Sequence, residues 1–278
     1  MSYREILAPV LTIEDDETAL NVAAEIAEQF DTRATALIVR VELASAFAAT
    51  ESAFSQIALD IAKGSGSHAS VERAKILAWL ERAPHAFEVR EVTVEEAVES
   101  KELLAHARMA DLTIIARGAT NKRAHRAMLE LLVFKSGRPI LLLPGTTPQA
   151  RRWERILIGW NAKDEAMRAV TGALPLLRRA REVAVVTVDA APSKSGHGQA
   201  PGRDLAAYLA SHGVRVEVRN LDAMGRSEAG ALLEEAVSLG ADLLVIGAYG
   251  HSRAQEFLFG GVTRELLAAC PIPLLLAH

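Results

Sequence analysis

The stretch Asp242-Leu243-Leu244-Val245-Ile246-Gly247-Ala248-Tyr249-Gly250 opens the part of the sequence that decides the fold. Its consecutive apolar residues, without polar alternation, indicate a strand buried on both faces of a parallel sheet. Nine residues then separate Gly250 from the pair Gly260-Gly261, and a helical pattern follows up to about Ala269. Because two glycines inside a helix cost about 2 kcal/mol relative to alanine, the pair predicts the start of that helix.

This strand–loop–helix arrangement favours an anionic ligand. Glycine at positions 247 and 250 can adopt positive φ and lets backbone N–H groups approach a ligand closely. A helix start presents free N–H groups and a partial positive charge. His251 and Arg253 follow Gly250 directly and are candidates either for phosphate contact or for simple solvent exposure.

The sequence contains two copies of one unit in the same order. The segment Arg4-Glu5-Ile6-Leu7 resembles Glu154-Arg155-Ile156-Leu157, and Ala110-Asp111-Leu112 resembles Ala241-Asp242-Leu243. The first copy has an insertion around residues 44–85. This pattern indicates a tandem duplication with one insertion.

Each copy alternates apolar runs with helical patterns in the order β-α-β-α-β-α-β-α-β, which predicts parallel strands joined by helices. The predicted strands lie near residues 4–10, 34–42, 86–92, 111–116 and 138–143 in the first copy and at 155–160, 182–188, 214–220, 242–247 and 272–277 in the second. The predicted fold class is therefore α/β, with two tandem doubly wound domains of five parallel strands each. We place these domains at residues 1–144 and 150–278.

Composition and charge argue against several classes of function. A net charge of −4 and an aromatic content of 5% disfavour nucleic acid as a partner. The single cysteine, Cys270, cannot form an internal disulfide or a cysteine-based zinc site, so we expect no metal site and a reducing, cytoplasmic location. We expect no membrane association, because no apolar stretch approaches the roughly 20 residues of a membrane-spanning helix.

Catalytic motifs are also missing from the sequence. It contains no P-loop, no nucleophile elbow and no HExxH motif. The sequence therefore predicts a binding protein rather than an enzyme, and any ATP hydrolysis should be slow and incidental.

The spacing G-x2-G-x9-G at Gly247, Gly250 and Gly260 resembles the C-terminal signature of the universal stress protein family, and the duplication resembles its tandem two-domain members. The resemblance implies an adenine-nucleotide α-hydrolase-like fold in each copy. It also implies that ATP binds to the second copy, with Mg²⁺ present only through the bound nucleotide. The nucleotide site implied by the resemblance contains Asn161, Val188, Gly247, Gly250, His251, Arg253, Gly260, Gly261, Val262 and Thr263.

Two residues of the second copy depart from the pattern of the ATP-binding members. Asn161 stands where an aspartate that meets the adenine side is usual, and its amide keeps one acceptor oxygen while adding a donor. Gly261 stands where serine or threonine is usual, so the backbone N–H is kept and a hydroxyl is lost.

The first copy departs further, since it lacks the glycines of the signature. Alignment of Asp111 with Asp242 puts Ala116, Ala119, Leu129 and Glu130 at the positions of Gly247, Gly250, Gly260 and Gly261. The carboxylate of Glu130 would repel a phosphate. We therefore expect a degenerate site in the first copy.

These observations favour a stress-response protein whose second copy binds ATP or a related adenine nucleotide as a regulatory ligand. A structural or protein-interaction member without a nucleotide is the alternative, favoured by Asn161 and Gly261. An enzyme of the wider fold ranks last. The last strands of the copies, Pro139–Leu143 and Ile272–Ala277, are apolar edges that need cover, so we expect them to pair as a pseudo-dimer, with further oligomerisation open.

Overall fold

Alternating strands and helices make up the whole described part of this computed structural model, which covers residues 2–42, 69–95, 100–117, 123–145, 153–192, 197–248 and 261–278. Two compact units divide the chain, Tyr3–Ser136 and Gly137–His278, called here the N-terminal and the C-terminal unit. The predicted α/β fold class is confirmed by this order of elements. In the described ranges, no helix has both the length and the hydropathy needed to cross a membrane.

The N-terminal unit is built on a sheet with the strand order β3-β2-β1-β4, in which every pairing is parallel. Its central strand β1 is buried along most of its length, which explains why its sequence does not alternate between apolar and polar residues. The elements of this unit are β1 (Glu5–Val10), α1 (Ile13–Phe30), β2 (Arg33–Glu42), α2 (69–80), β3 (Phe87–Glu95), α3 (Lys101–Met109), β4 (Leu112–Ala116) and α4 (Arg123–Lys135).

The C-terminal unit has the strand order β5-β10-β9-β6-β7-β8. Strands β6 to β10 are parallel, whereas β5 pairs antiparallel with β10 and places Leu142 opposite Leu274. The last strand of the first copy therefore lies in this unit. The elements are β5 (Ile140–Leu143), β6 (Arg155–Gly159), α5 (Asp164–Leu177), β7 (Glu182–Val188), α6 (Arg203–Ser211), β8 (Val216–Leu221), α7 (Glu228–Leu239), β9 (Leu243–Gly247), α8 (Gly261–Ala269) and β10 (Leu274–Ala277).

The same aspartate clamp joins the first and fourth strands of each copy. In the N-terminal unit, Asp111 Oδ2 accepts hydrogen bonds from the backbone N–H groups of Arg4 at 2.7 Å and Glu5 at 3.2 Å. Asp242 does the same in the C-terminal unit, for Glu154 at 2.8 Å and Arg155 at 3.2 Å. The repeat read from the sequence is thus a repeat of hydrogen bonds as well.

Strand order reverses between β6 and β9, which lie side by side. From β6 the chain adds β7 and β8 on one side, whereas β9 lies on the other side of β6 and β10 follows beyond it. Their carboxyl ends are adjacent, since Gly159 pairs with Ile246. In open parallel sheets, ligands bind beyond the carboxyl ends of the strands at such a reversal. The loops that follow β6 and β9 are therefore the expected place for a ligand.

We predict that Asp242→Ala lowers the free energy of unfolding by about 2 kcal/mol, because two backbone N–H groups lose a charged acceptor. Asp242→Asn keeps one acceptor oxygen and should cost less. Urea denaturation followed by tryptophan fluorescence measures the effect, since Trp153 is buried in the same unit. An unchanged urea midpoint in Asp242→Ala would show that the hydrogen bonds of Asp242 do not stabilise the fold.

Candidate functional site

A cavity of about 520 Å³ lies at the carboxyl ends of the strands in the C-terminal unit. This volume falls within the range of ordinary small-molecule sites. Six residues of the predicted site line it together: Asn161, Val188, Gly247, Gly261, Val262 and Thr263. Four others, Gly250, His251, Arg253 and Gly260, lie outside the described residues.

One side of the cavity is apolar. Val186 and Val188 come from the end of β7, Ile246 comes from β9, and Leu232 comes from α7. Trp160, which directly follows β6, donates its backbone N–H to the carbonyl of Val186 at 2.9 Å. This side can take a flat, weakly polar ring.

Three helix N-termini face the same cavity. Lys163 is the N-cap of α5, Glu228 is the first residue of α7, and Gly261 is the first residue of α8, and all three line the cavity. Acidic side chains in the first turns of α5 and α7 offset the partial positive charge of those helices, whereas the first turn of α8 has none. The start of α8 is therefore the most favourable of the three for an anion.

The helix start predicted at the glycine pair is present, because α8 begins at Gly261. This glycine is exposed, and a Cβ built on it meets no atom of the described residues within 4 Å. Thr263, one turn further on, is 5% exposed and lines the cavity. Position 261 thus has room for the hydroxyl that the sequence lacks.

Gly247 lines the cavity for a reason that the sequence did not reveal. It is absent from the described glycines with positive φ, so it does not use the positive φ that glycine allows. Instead, a Cβ at this position would lie 2.5 Å from the backbone nitrogen of Ala166 and 2.6 Å from Cγ of Glu165. Glycine is required here because the first turn of α5 packs directly on the end of β9.

The side-chain amide of Asn161 is engaged within the chain. Its Oδ1 accepts the backbone N–H of Lys163 at 3.2 Å, and its Nδ2 donates to Oε1 of Glu165 at 3.4 Å. Glu165 is 7% exposed, so its carboxylate is a buried partner. The amide therefore orders the turn between β6 and α5 while still lining the cavity.

Sequence reasoning missed several lining residues, among them Trp160, Lys163, Asp189, Ala190, Ala191, His197 and Glu228. Asp189 to Ala191 follow β7 directly, so the position of that strand end could have identified them. Asp189 has φ of 48°, and its Oδ1 accepts the backbone N–H of Ala223 at 2.9 Å, which holds this loop against the one after β8. The position of His197 at the cavity could not have been predicted, because the number of residues between it and β7 does not indicate where the connecting chain runs.

His197 is more buried than its glycine- and serine-rich surroundings suggest. Its Nδ1 is inaccessible and has no hydrogen-bond partner in the described part of the chain, although its ring lines the cavity. Within the described ranges, no group of three or more His, Cys, Asp or Glu side chains could hold a metal ion.

The corresponding place in the N-terminal unit contains a buried polar pair. Asp16, in the first turn of α1, is fully buried, and its Oδ2 accepts the backbone N–H groups of Leu11 at 2.8 Å and Thr12 at 3.2 Å. Nε2 of His125, on α4, lies 3.1 Å from the same oxygen. An internal carboxylate thus takes up the N–H groups at the start of α1.

The structure describes three of the four residues predicted to replace the signature glycines in the first copy. Ala116 and Leu129 are 2% and 5% exposed. Glu130 forms an ion pair with Arg126 at 3.0 Å on the surface of α4. Ala119 lies outside the described residues.

His125→Ala should lower the free energy of unfolding by about 3–5 kcal/mol, because it leaves the buried Asp16 carboxyl without its side-chain partner. His106→Ala is the control, since the ring of His106 lies 3.4 Å from the exposed Arg90 side chain rather than against a buried carboxylate, and its loss should cost about 0.5 kcal/mol or less. Urea denaturation followed by circular dichroism compares the two variants. Equal midpoints would show that the buried pair contributes nothing specific.

Comparison with known proteins agrees with this architecture. Residues 152–278 match the sequence profile of the Universal stress protein family. Comparison of the sequence with curated proteins gives no significant match.

Solved structures extend the similarity of fold to nearly the whole chain. A universal stress protein from Archaeoglobus fulgidus DSM 4304 is 13% identical with a TM-score of 0.66, over 98% of this chain and 95% of that chain. A putative universal stress protein from Pseudomonas aeruginosa UCBPP-PA14 is 15% identical with a TM-score of 0.55, over 99% and 93% of the two chains. A universal stress protein in complex with cAMP covers 46% of this chain and 99% of its own, at 22% identity and a TM-score of 0.38.

The likeness in fold covers both copies, whereas the match in sequence is confined to the second, which contains the cavity and the glycine signature. Residues 152–278 of this chain therefore belong to the universal stress protein family.

Proposed function

We propose that this chain is a cytoplasmic stress-response protein whose C-terminal unit binds ATP or a related adenine nucleotide as a regulatory ligand. The observation that carries the proposal is the combination, in one cavity, of an apolar wall and the N-terminus of α8, which has no acidic residue in its first turn. A nucleotide needs both surfaces, since its base is flat and weakly polar and its phosphates are anionic.

In the proposed complex the phosphates lie at the start of α8, where Gly261 and Val262 offer backbone N–H groups. The base lies against Val186 and Val188, near Asn161. His251 and Arg253, predicted from the sequence to flank the glycine loop, would supply positive charge to the phosphates. Mg²⁺ would arrive with the nucleotide rather than through protein ligands.

Occupancy rather than turnover is the proposed output of this site. The acidic side chain of Asp189 is already bonded to the backbone of Ala223, and Glu228 lies at a helix N-terminus, where a carboxylate offsets the helix charge. Neither arrangement is that of a catalytic base poised against a bound phosphate.

A second candidate function is that of a protein-interaction or structural module without a nucleotide. Asn161 favours it, because both ends of its amide are bonded within the chain. Gly261 favours it as well, since it offers a phosphate no side-chain hydroxyl. Under this candidate the cavity would have no measurable affinity for nucleotides.

We also propose that the two copies pair through their last strands, so that one chain reproduces a dimer of single domains. The antiparallel register of β5 and β10, with Leu141 opposite Leu275, supports this pairing. Both strands are fully buried, which is how an apolar edge avoids aggregation.

Hydrogen exchange tests whether the pairing lies within one chain. The backbone amides of β5 and β10 should exchange slowly, and their protection should stay constant when the protein is diluted. Protection that falls on dilution would indicate pairing with a second chain instead.

Calorimetric titration with ATP and Mg²⁺ should give one site per chain, and Gly261→Ser should tighten binding about tenfold, because the added hydroxyl can donate a charge-assisted hydrogen bond to phosphate. With respect to the described residues, position 261 has open space for the side chain. Ala269→Ser is the matched control: it adds the same hydroxyl to the exposed opposite end of α8 and should leave affinity unchanged.

Two equivalent sites per chain would contradict the proposed degeneracy of the first copy. Absence of binding at millimolar ATP, in folded wild-type protein and in Gly261→Ser alike, would favour the protein-interaction candidate.

A further inference from the structure

The orientation of the Asn161 amide is determined by its two partners. The backbone N–H of Lys163 can only donate, so the atom 3.2 Å from it is the oxygen. An ionised Glu165 carboxylate can only accept, so the atom 3.4 Å from its Oε1 is the nitrogen. A flipped amide would place donor against donor and acceptor against acceptor.

Close packing at the end of β9 creates this arrangement. Because residue 247 is glycine, Cγ of Glu165 occupies the space that a Cβ there would need. The Glu165 carboxyl is thereby held in a buried position, 7% exposed, within reach of Asn161. An aspartate at position 161 would place two carboxylates in contact, so the buried glutamate makes a donor the complementary group.

Among the residues that the structure describes, only one hydrogen of Asn161 Nδ2 has a partner, so the other is left for a ligand. An amide nitrogen has two hydrogens, and only one is directed to Glu165. Asn161 is exposed and lines the same cavity as the apolar wall. In the proposed complex it lies near the base. Its Oδ1 also keeps one lone pair, so the side chain presents both a donor and an acceptor to the base.

We infer that Asn161 makes this cavity accept 6-oxopurine nucleotides as well as adenine nucleotides, an inference that rests on the proposed function. At carbon 6, adenine presents an amino donor, whereas guanine and hypoxanthine present a carbonyl acceptor. A carboxylate accepts a hydrogen bond from the amino group and repels the carbonyl oxygen. The oriented amide bonds to either, so it removes the discrimination that a carboxylate would impose.

ATP and inosine triphosphate are the probes, because they share the ribose and the triphosphate and differ only at positions 1 and 6 of the base. For the wild-type protein their Kd values should agree within about threefold, less than the worth of one hydrogen bond of average strength. The ratio of the two Kd values isolates the base, since the phosphate contribution cancels.

The double variant Asn161→Asp with Glu165→Gln exchanges donor and acceptor while the net charge stays the same. The introduced glutamine amide can donate to the introduced aspartate carboxylate in place of the original bond, and the group that faces the ligand becomes a pure acceptor. The ratio of Kd for inosine triphosphate to Kd for ATP should then rise about tenfold. If this protein fails to fold, the single variant Asn161→Asp removes the donor while keeping an acceptor, and it should weaken inosine triphosphate more than ATP.

The matched control exchanges the same residue types on β8, outside the cavity. Asn220→Asp with Glu217→Gln keeps the acceptor for the Thr187 hydroxyl, which lies 2.7 Å from Asn220 Oδ1. Its Kd ratio should equal that of the wild type.

Two outcomes overturn the inference in distinguishable ways. A wild-type protein that binds ATP at least tenfold more tightly than inosine triphosphate, with a ratio that the Asn161 variants leave unchanged, removes the role of Asn161 but keeps the nucleotide site. A folded protein that binds neither probe removes the proposed function and this inference with it.

Discussion

The first turn of α5 lies against the carboxyl end of β9 so closely that residue 247 has no room for a side chain. This contact brings the turn after β6 beside the loop after β9, at the point where strand order reverses. It also buries Glu165, which in turn orients Asn161. The position of the cavity and the orientation of the Asn161 amide that lines it both follow from this approach of helix to strand.

The two copies have similar strands but different side chains at the carboxyl ends of those strands. Asp111 and Asp242 bind the start of the first strand in the same way in each copy, so the sheets repeat. Among the described residues above the carboxyl ends, the first copy has a buried Asp16–His125 pair, and the second has a cavity. The difference arises from side chains in the first turns of helices, which can change without disturbing the strands below them.

Much of the fold could be predicted from local patterns. Buried parallel strands read as apolar runs, and β7 was predicted with the bounds that the structure has, because Glu182–Val188 is apolar throughout its interior. The start of α8 at Gly261 was also predictable, since glycine pairs are costly inside helices. The clamp at Asp242 was visible only as a repeated residue, because its hydrogen bonds connect positions 88 residues apart.

The details of the site were less accessible, because they depend on tertiary contact. The sequence analysis related Gly247 to positive φ and close approach of a ligand, whereas the structure gives it a packing role that only the position of α5 reveals. The bonds of Asn161 to Lys163 and Glu165 needed the geometry of the turn, and the burial of His197 needed the path of its loop. Sequence spacing indicates which strand ends meet, but it does not indicate which side chains are already satisfied there.

The central claim is that the C-terminal cavity is a purine nucleotide site. Mass spectrometry of the small molecules released when the purified protein is denatured by heat tests it most directly. We expect a purine nucleotide to be released, at no more than one per chain. Release of no nucleotide, together with no binding when millimolar ATP or inosine triphosphate is added to the folded protein, would contradict it.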